Sequence, residues 1–401
     1  METKFTFSPK LRNITFGMML VGVVAIAIGF VTDPSRAWAN LLLNNYYFLL
    51  LGLGASFFFA LQYIAQAGWA TGYKRVPEAI MQYVPVAGVI MLLIMVFGMK
   101  SLYPWVNPEE WMARTGKHLD EHDLHLFHHK GAYLNTVFFI ARLVIIFASW
   151  VLLQGYLRKL SLREDEDKAN ALKWFEKSHL WSKIYIFVYA LTFIFAAVDW
   201  IMSIETTWFS TIFAAKNFIS AFYHGSAVIV LVVIYLHRKG FFQFTNDSHW
   251  LDFSRYLFIT SILFAYTWYS QYMLIWYANI PEETIYYFYR RFEFSETIFI
   301  ANIVINFIIP FIVILPNKLA KNPKVLLVMV VLILLGHYID VYNEIFPRTV
   351  FAAKFGIVEI GSFIGFWGLF IFIVARSLAK ANIIPVNHPY LDESLHHHTH
   401  G

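Results

Sequence analysis

Ionisable side chains stand inside apolar stretches of this sequence. Asp199, Lys216 and His224 lie in two consecutive apolar runs, and His337 and Asp340 lie in a later run. A charge inside hydrocarbon costs at least about 2.5–3.5 kcal/mol on insertion scales, so such residues usually face the interior of a helix bundle and find partners there. Carboxylates, imidazoles and ammonium groups in this setting can accept, donate and relay protons.

Three uses of these five residues remain open. A quinone head group needs donors for its two carbonyl oxygens, and quinol oxidation needs a group that accepts protons, both of which these side chains can supply. The same residues could form a proton path. They could also only satisfy one another and fix helix packing, as buried ion pairs sometimes do.

Counting residues from the turn near Thr207 at 1.5 Å per residue puts Asp199 and Lys216 at a similar depth, so the sequence predicts a buried ion pair between them. Other polar groups fall inside the apolar runs as well, namely Arg142, Glu359, Tyr266, Tyr269 and Gln271.

A second group of histidines recurs at helical spacing in the segment 118–129, at His118, His122, His125 and His129. A helix there would carry four imidazoles on one face, which could bind zinc or copper. The sequence supplies nothing that would orient these imidazoles around a metal, so a partner-facing or pH-sensitive surface is the preferred interpretation.

The chain contains no Cys, which excludes thiolate-ligated iron–sulfur clusters, Cys-attached haem and disulfides within it. Haem b would need two facing histidines at one depth, and the residue count separates His224 from His337 by several ångströms. The sequence therefore predicts that any such redox centre belongs to a partner.

The elements that position these residues are membrane helices. Of the 401 residues, 59% are hydrophobic and 14% are charged, whereas soluble domains have about 25% charged residues. Apolar runs long enough to cross a hydrocarbon layer recur along the whole chain. We predict an all-α protein with ten spans, at residues 13–31, 41–66, 77–99, 133–156, 184–205, 210–236, 252–278, 296–316, 325–342 and 349–376.

Basic residues outside the spans are more than twice as frequent on the side that carries both termini, side A, as on the opposite side, side B. The positive-inside rule then predicts cytoplasmic termini, and this topology explains the net charge of +5 without nucleic acid. The first span is expected to be retained rather than cleaved as a signal peptide. Residues 377–401 are expected to form a cytoplasmic tail, whose His-rich end resembles a tag or a disordered segment without function.

An internal repeat suggests how the spans are grouped. TIFAAK at 211–216 recurs as TVFAAK at 349–354, in each case at the expected start of a span after a side-B turn. Because four spans separate the copies, we predict two four-helix bundles related as a parallel repeat, spans 2–5 (residues 41–205) and spans 6–9 (residues 210–342), within a single membrane domain. Spans 1 and 10 flank them. The repeat would place His337 opposite Asp199 and Lys354 opposite Lys216.

Three segments carry a resemblance to a known family: DWIMSIE at 199–205, WFSTI at 208–212 and GHYID at 336–340. They resemble the membrane subunits of bacterial alternative complex III, which belong to the polysulfide-reductase-like (NrfD-like) family. The resemblance covers essentially the whole chain, whose length is similar to the smaller of the two such subunits. Asp199 and Asp340 match the intramembrane acidic positions of the family.

The resemblance implies a complex of the bacterial plasma membrane that oxidises menaquinol and passes electrons to cytochrome c or an oxidase. It implies a larger NrfD-like quinol-binding subunit, an iron–sulfur subunit and haem c subunits as partners, with membrane lipids around them. This chain would carry no electrons and would be an accessory, non-catalytic subunit, with menaquinone as its one candidate ligand. Two alternatives stay open, a secondary transporter with parallel repeats and a purely structural anchor for peripheral subunits.

Overall fold

The computed structural model describes residues 4–398, and all ten predicted spans are helices in it. Their bounds are α1 Pro9–Thr32, α2 Pro34–Ala65, α3 Arg75–Leu102, α4 Thr136–Glu166, α5 Ala171–Trp200, α6 Ile212–Arg238, α7 Asp247–Ala278, α8 Glu296–Ile314, α9 Pro323–Thr349 and α10 Ile357–Leu378. No strand occurs between residues 4 and 398, where an isolated bridge from Lys4 to Asn382 joins the two terminal segments. The all-α fold class is confirmed.

Within the described residues, nine of these helices are long and apolar enough to cross a membrane. The tenth, α7, has no charged side chain between residues 256 and 278, but its many Tyr, Trp, Ser and Thr residues lower its mean hydropathy. The chain is therefore a multi-pass integral membrane protein.

The helices pack in two closed rings. In bundle 1, α2, α3, α4 and α5 each pack on the next and α5 returns to α2, and α6 to α9 form bundle 2 in the same cyclic order. The first helices of the two rings, α2 and α6, pack on each other and are the most buried of the spans. They approach most closely at Gly54 and Gly225, where an added Cβ would lie within 3 Å of the opposite backbone.

The two flanking helices pack on each other along a stripe of small residues. A Cβ on Gly365 would lie 2.4 Å from Gly22 Cα, and one on Gly361 would lie 2.4 Å from Ala25 Cβ. The small residues of α10 thus let α1 of the same chain approach closely.

The second copy of the repeated hexapeptide does not begin a helix, which contradicts the sequence prediction. Thr211 directly precedes α6, whereas Thr349 ends α9, and α10 begins only at Ile357. Phe351 has a φ of 60° and breaks the helix in between. Lys354 therefore lies in an exposed loop, 3.7 Å from Asp33, and not opposite Lys216 inside the membrane.

Short helices lie outside the spans. Those on side B are Pro108–Thr115, Glu121–Lys130 and Pro281–Phe288, the last of which continues into the π-helical segment Tyr289–Phe294. On side A the short helix Leu391–Leu395 of the tail packs against the helical turn Gly68–Tyr73. Of the His-rich end, which resembles a tag or a disordered segment, residues 396–398 lie in the described chain, where His397 contacts Asn246 and Asp252, and residues 399–401 lie outside it.

Candidate functional site

A buried ion cluster connects α6 and α9 in bundle 2. The Lys216 Nζ atom donates to both carboxylate oxygens of Asp340 at 2.7 Å and to Glu344 Oε1 at 2.8 Å. All three side chains are buried. We call Lys216, Asp340 and Glu344 the bundle-2 cluster. Because one ammonium group faces two carboxylates, the cluster would carry a net negative charge with both carboxylates ionised, and one bound proton would neutralise it.

Neutral donors complete the coordination of the carboxylates. Asn302 Nδ2 and Ser220 Oγ donate to Asp340 at 2.8 and 3.1 Å, and Asn217 Nδ2 donates to Glu344 Oε1 at 3.0 Å. Across the described chain, Glu344 Oε2 has no hydrogen-bond partner. Asp340 is thus fully satisfied, while Glu344 keeps one free acceptor atom that can take up a proton.

The hydrogen-bonded network continues from the cluster into the membrane. Ser220 Oγ lies 3.2 Å from His224 Nδ1, whose ring also contacts Asn306 Oδ1 through Nε2 at 3.1 Å. Asn306 Nδ2 donates to Asn302 Oδ1 at 2.7 Å, which closes the network back onto Asp340. Asn306 lies in a π-helical stretch of α8, Val304–Ile308, a local distortion that is frequent at functional sites.

His224 and His337 stack on each other inside bundle 2. Their ring centroids are 4.0 Å apart and their planes differ by 18°. Both side chains are fully buried, and neither ring nitrogen of His337 has a partner among residues 4–398. The predicted difference in depth is therefore wrong. Because stacked rings present their faces to each other, their nitrogens do not converge on one iron, and the pair does not fit a bis-histidine haem.

Toward side B, a second set of buried charges lies between the bundle-2 cluster and the surface. Arg290 donates to Glu205 Oε2 at 2.9 Å and to the backbone oxygen of Glu344 at 3.1 Å. Arg348 Nε lies 3.2 Å from Glu205 Oε1. A cavity of about 20 Å³ is lined by Arg290, Lys216 and Gln271. This volume has room for about one water molecule.

Bundle 1 holds a single ion pair at the corresponding place. Arg142 of α4 donates from Nε and Nη2 to the two oxygens of Asp199 of α5, at 2.7 and 3.2 Å. The guanidinium carbon also lies 3.8 Å from the centroid of the Tyr133 ring. The predicted Asp199–Lys216 pair is thus wrong, because α5 and α6 belong to different bundles and each charge pairs inside its own ring.

Asp199 and Asp340 nevertheless occupy equivalent positions. Each lies on the fourth helix of its bundle and accepts a hydrogen bond from the third helix, from Arg142 in bundle 1 and from Asn302 in bundle 2.

Several other predicted residues lie away from this site. Glu359 binds Arg36 through two hydrogen bonds and Asn40 Nδ2 at 3.0 Å, so it fastens α10 to α2. Tyr266 and Tyr269 lie on the outer face of α7 and are exposed. Of the polar residues predicted in α7, Gln271 alone points into bundle 2, where it lines the small cavity.

The histidine-rich segment forms the predicted helix only from Glu121 onward, so His118 lies before it. His125 Nε2 and His129 Nε2 are 3.1 Å apart, and both rings are exposed on side B. Among the described residues, no group of three or more His, Cys, Asp or Glu side chains could hold a metal ion. The preferred interpretation, a partner-facing or pH-sensitive surface, stays a prediction.

Sequence reasoning missed five members of the site, Glu205, Arg290, Asn302, Asn306 and Glu344. The asparagines had a signal, because two Asn residues four positions apart in an apolar span face the same side of a helix. Glu344 likewise follows Asp340 by four positions.

Comparison with protein-family models and with curated proteins finds no match for this chain. The functional argument therefore depends on the residues and on their geometry.

Proposed function

We propose that this chain is an accessory membrane subunit of a quinol:acceptor oxidoreductase and that its bundle 2 takes up and relays protons for the complex. The observation that carries the proton role is the excess carboxylate at Lys216, Asp340 and Glu344. The assignment to a redox complex is supported by the sequence resemblance, and the partner subunits that carry iron–sulfur clusters and haem c are part of the proposal.

The arrangement of polar groups supports a proton role. Glu205, Arg290 and Arg348 lead from side B to a one-water cavity next to Lys216, and Ser220, His224 and Asn306 extend the network beyond Asp340. A group that can gain and lose a proton, with hydrogen-bonding side chains on either side of it, is what proton relay requires.

The size of the cavity argues against quinol binding at the same place. A quinone ring with its substituents cannot enter about 20 Å³, and the cluster is closed by Tyr286, Tyr287 and Phe299. This geometry does not support a quinone head group held jointly by the five predicted residues, Asp199, Lys216, His224, His337 and Asp340. The cavity is too small, and Asp199 lies in bundle 1 while the other four lie in bundle 2.

A second candidate, a quinone site, is favoured by a lateral cavity of about 240 Å³ on the outer side of α9. Its lining is almost entirely apolar and includes Tyr338, Tyr342 and Phe355. Tyr338 Oη is buried and has no hydrogen-bond partner in the described chain, and a rotation of the Tyr338 ring toward the cavity would let it donate to a quinone carbonyl. Loss of quinone from the purified chain on Tyr338→Phe, measured by extraction and chromatography, would support this site, and retention would count against it.

The proton role is tested with Asp340→Asn and Glu344→Gln in the assembled complex. We expect normal subunit content and haem spectrum, with quinol turnover or proton translocation reduced by about tenfold or more, since the proton-accepting group is lost. Glu282→Gln on exposed side B serves as the matched control, with unchanged turnover expected.

The same experiment separates the alternatives. Unchanged turnover and proton translocation in both variants would refute the proton role. Failure of the complex to assemble, with normal turnover in the fraction that does assemble, would support the structural anchor.

The assignment to a redox complex is tested by purification from native membranes in mild detergent, followed by mass spectrometry and a visible spectrum. We expect stoichiometric haem c and iron–sulfur subunits. A chain that purifies alone would make transport the leading alternative.

A further inference from the structure

The C-terminal tail covers a second group of buried charges, on side A of bundle 1. Lys74 Nζ lies 3.2 Å from Glu164 Oε1, and Arg75 binds Glu78 at 2.6 Å and Asp165. We call these five residues the side-A cluster. They lie at the ends of α3 and α4, where water would ordinarily solvate them, yet four of the five are buried.

Residues 386–398 run across this cluster, and we call them the strap. At its start, Val386 N–H and Asn387 Nδ2 donate to Asp165, at 3.0 and 2.8 Å. His388 follows, buried 3.8 Å from Glu164 and against the rings of Tyr63 and Phe175. Burial, together with the nearby Lys74 and Arg75, lowers the pKa of His388 to about 2, so it covers the cluster as a neutral ring.

The centre of the strap is held by one small residue. Ser394 is fully buried, and its Oγ accepts from Gly72 N–H at 3.0 Å and donates to Trp69 O at 2.8 Å. A Cβ on Gly72 would lie 2.9 Å from that oxygen, so the strap and the segment Gly68–Tyr73 approach each other closely here. Ser394 thus anchors the strap to the segment between α2 and α3.

The far end of the strap binds bundle 2. His249 Nε2 donates to Ser394 O at 3.0 Å, and Asn246 Nδ2 donates to His397 O at 2.8 Å. His397 Nε2 lies 2.5 Å from Asp252 Oδ2. The strap therefore joins both bundles across side A, through polar contacts at its two ends and at Ser394 and through ring contacts of His388, Tyr390 and His397.

A small cavity lies between the strap and Lys74. It measures about 20 Å³ and is lined by Gln62, Tyr63, Lys74 and Ala70 from the bundle and by His388 and Tyr390 from the strap. Two of its walls thus belong to the tail. Removing them would join this cavity, and Lys74 with it, to the solvent on side A.

We propose that the strap is an opening cover that controls the access of water to the side-A cluster. A short segment that lies outside both bundles and is held by side-chain contacts rather than by helix packing can open locally without unfolding the helices beneath it. Opening would hydrate the Lys74–Glu164 pair without unfolding either bundle. This inference concerns water access alone and does not depend on the proposed function.

Cysteine accessibility tests the proposal directly, because the chain contains no Cys and any introduced one is unique. Ala70→Cys reports on the cavity and Ala227→Cys, fully buried in α6, reports on the bundle core. Each is placed in the full chain, in a chain that lacks residues 386–401, and in a Ser394→Arg chain, which is too bulky for the buried site. His396→Arg is the matched control, since His396 is exposed directly after the same short helix.

With a polar maleimide applied to the purified protein and its co-purifying subunits, we expect Ala70→Cys to react about tenfold or more faster in the truncated and Ser394→Arg chains than in the full chain. His396→Arg should leave the rate unchanged. In the full chain Ala70→Cys should still react faster than Ala227→Cys, as an opening cover requires.

Three results would overturn the proposal. Equal Ala70→Cys rates with and without the strap would show that other residues close the cavity. Equal acceleration of Ala227→Cys would show that the tail holds the whole fold together. Equal, negligible rates at both positions in the full chain would show a permanent closure. If the truncated chain fails to fold, the Ser394→Arg comparison with His396→Arg decides.

Discussion

The two bundles place an aspartate at equivalent positions and use it differently. In bundle 1, Asp199 meets one guanidinium group, and the charges cancel. In bundle 2, Asp340 shares one ammonium group with Glu344, and the charges do not cancel with both carboxylates ionised. Equivalent positions therefore carry a neutral pair in one bundle and a cluster with one excess carboxylate in the other.

The groups around the two aspartates differ as well. Arg142 also donates from Nη1 to the Tyr133 carbonyl at 3.0 Å, and aromatic rings cover the face of its guanidinium group. The bundle-2 cluster instead has a one-water cavity on its side-B face and hydrogen-bonding side chains beyond it. Bundle 1 thus holds a closed ion pair at this depth, which we call a lock, whereas the carboxylates of bundle 2 have room for about one water molecule beside them.

The largest effect predicted from this comparison is that of Asp199→Asn on stability. Arg142 cannot lose its proton, so the variant would bury an unpaired charge, and we expect the free energy of unfolding to fall by about 3–5 kcal/mol. Thermal unfolding of the purified chain in a fixed detergent measures the change. The double variant Arg142→Met/Asp199→Asn should recover most of the loss, and a cost below about 1 kcal/mol for the single variant would contradict the picture of a lock.

The spans could be predicted from sequence because long, largely apolar runs without charges mark them, but the ion pairs could not. Residue counting treated α5 and α6 as a simple hairpin, so it paired Asp199 with Lys216. The chain instead passes from one ring to the other at that turn, and each charge finds its partner inside its own ring. Which helices are ring neighbours is a property of tertiary packing that the local pattern does not contain.

The depth of His337 was misjudged because the apolar run of its span ends before the helix does. The helix continues to Thr349, which puts His337 twelve residues from that end, the same distance that separates His224 from Ile212. The extra turns are polar and buried, and they carry Glu344. Hydropathy assigned this polar segment to a loop outside the spans. It did the same for Lys74 and Arg75, although other parts of the chain bury both side chains.

An intermediate effect is expected at the stacked histidines. His224→Leu removes a hydrogen-bonding partner of Asn306 and Ser220, so we expect a loss of about 1–3 kcal/mol. His337→Leu removes a ring that stacks on His224 but whose nitrogens have no hydrogen-bond partner in the described chain, and it keeps a similar volume, so its cost should stay below about 1 kcal/mol. Unfolding midpoints of the two variants in one detergent give the comparison. The reverse order would mean that His337 has a partner essential to the fold.

A small effect on stability is also expected for Glu344→Gln, and this variant tests most directly whether the bundle-2 cluster differs from the ion pair of bundle 1. The change leaves Lys216 and Asp340 as a neutral pair, and the glutamine Oε1 can still accept from Lys216 and Asn217. We expect the free energy of unfolding to change by no more than about 1 kcal/mol, measured beside Asp199→Asn in the same detergent. A cost as large as that of Asp199→Asn would mean that Glu344 is needed as a charge, and the cluster would then be a lock like that of bundle 1. A small cost joined to lost proton-coupled turnover is the combination that a packing role cannot produce, because a residue that only held helices together would change both or neither.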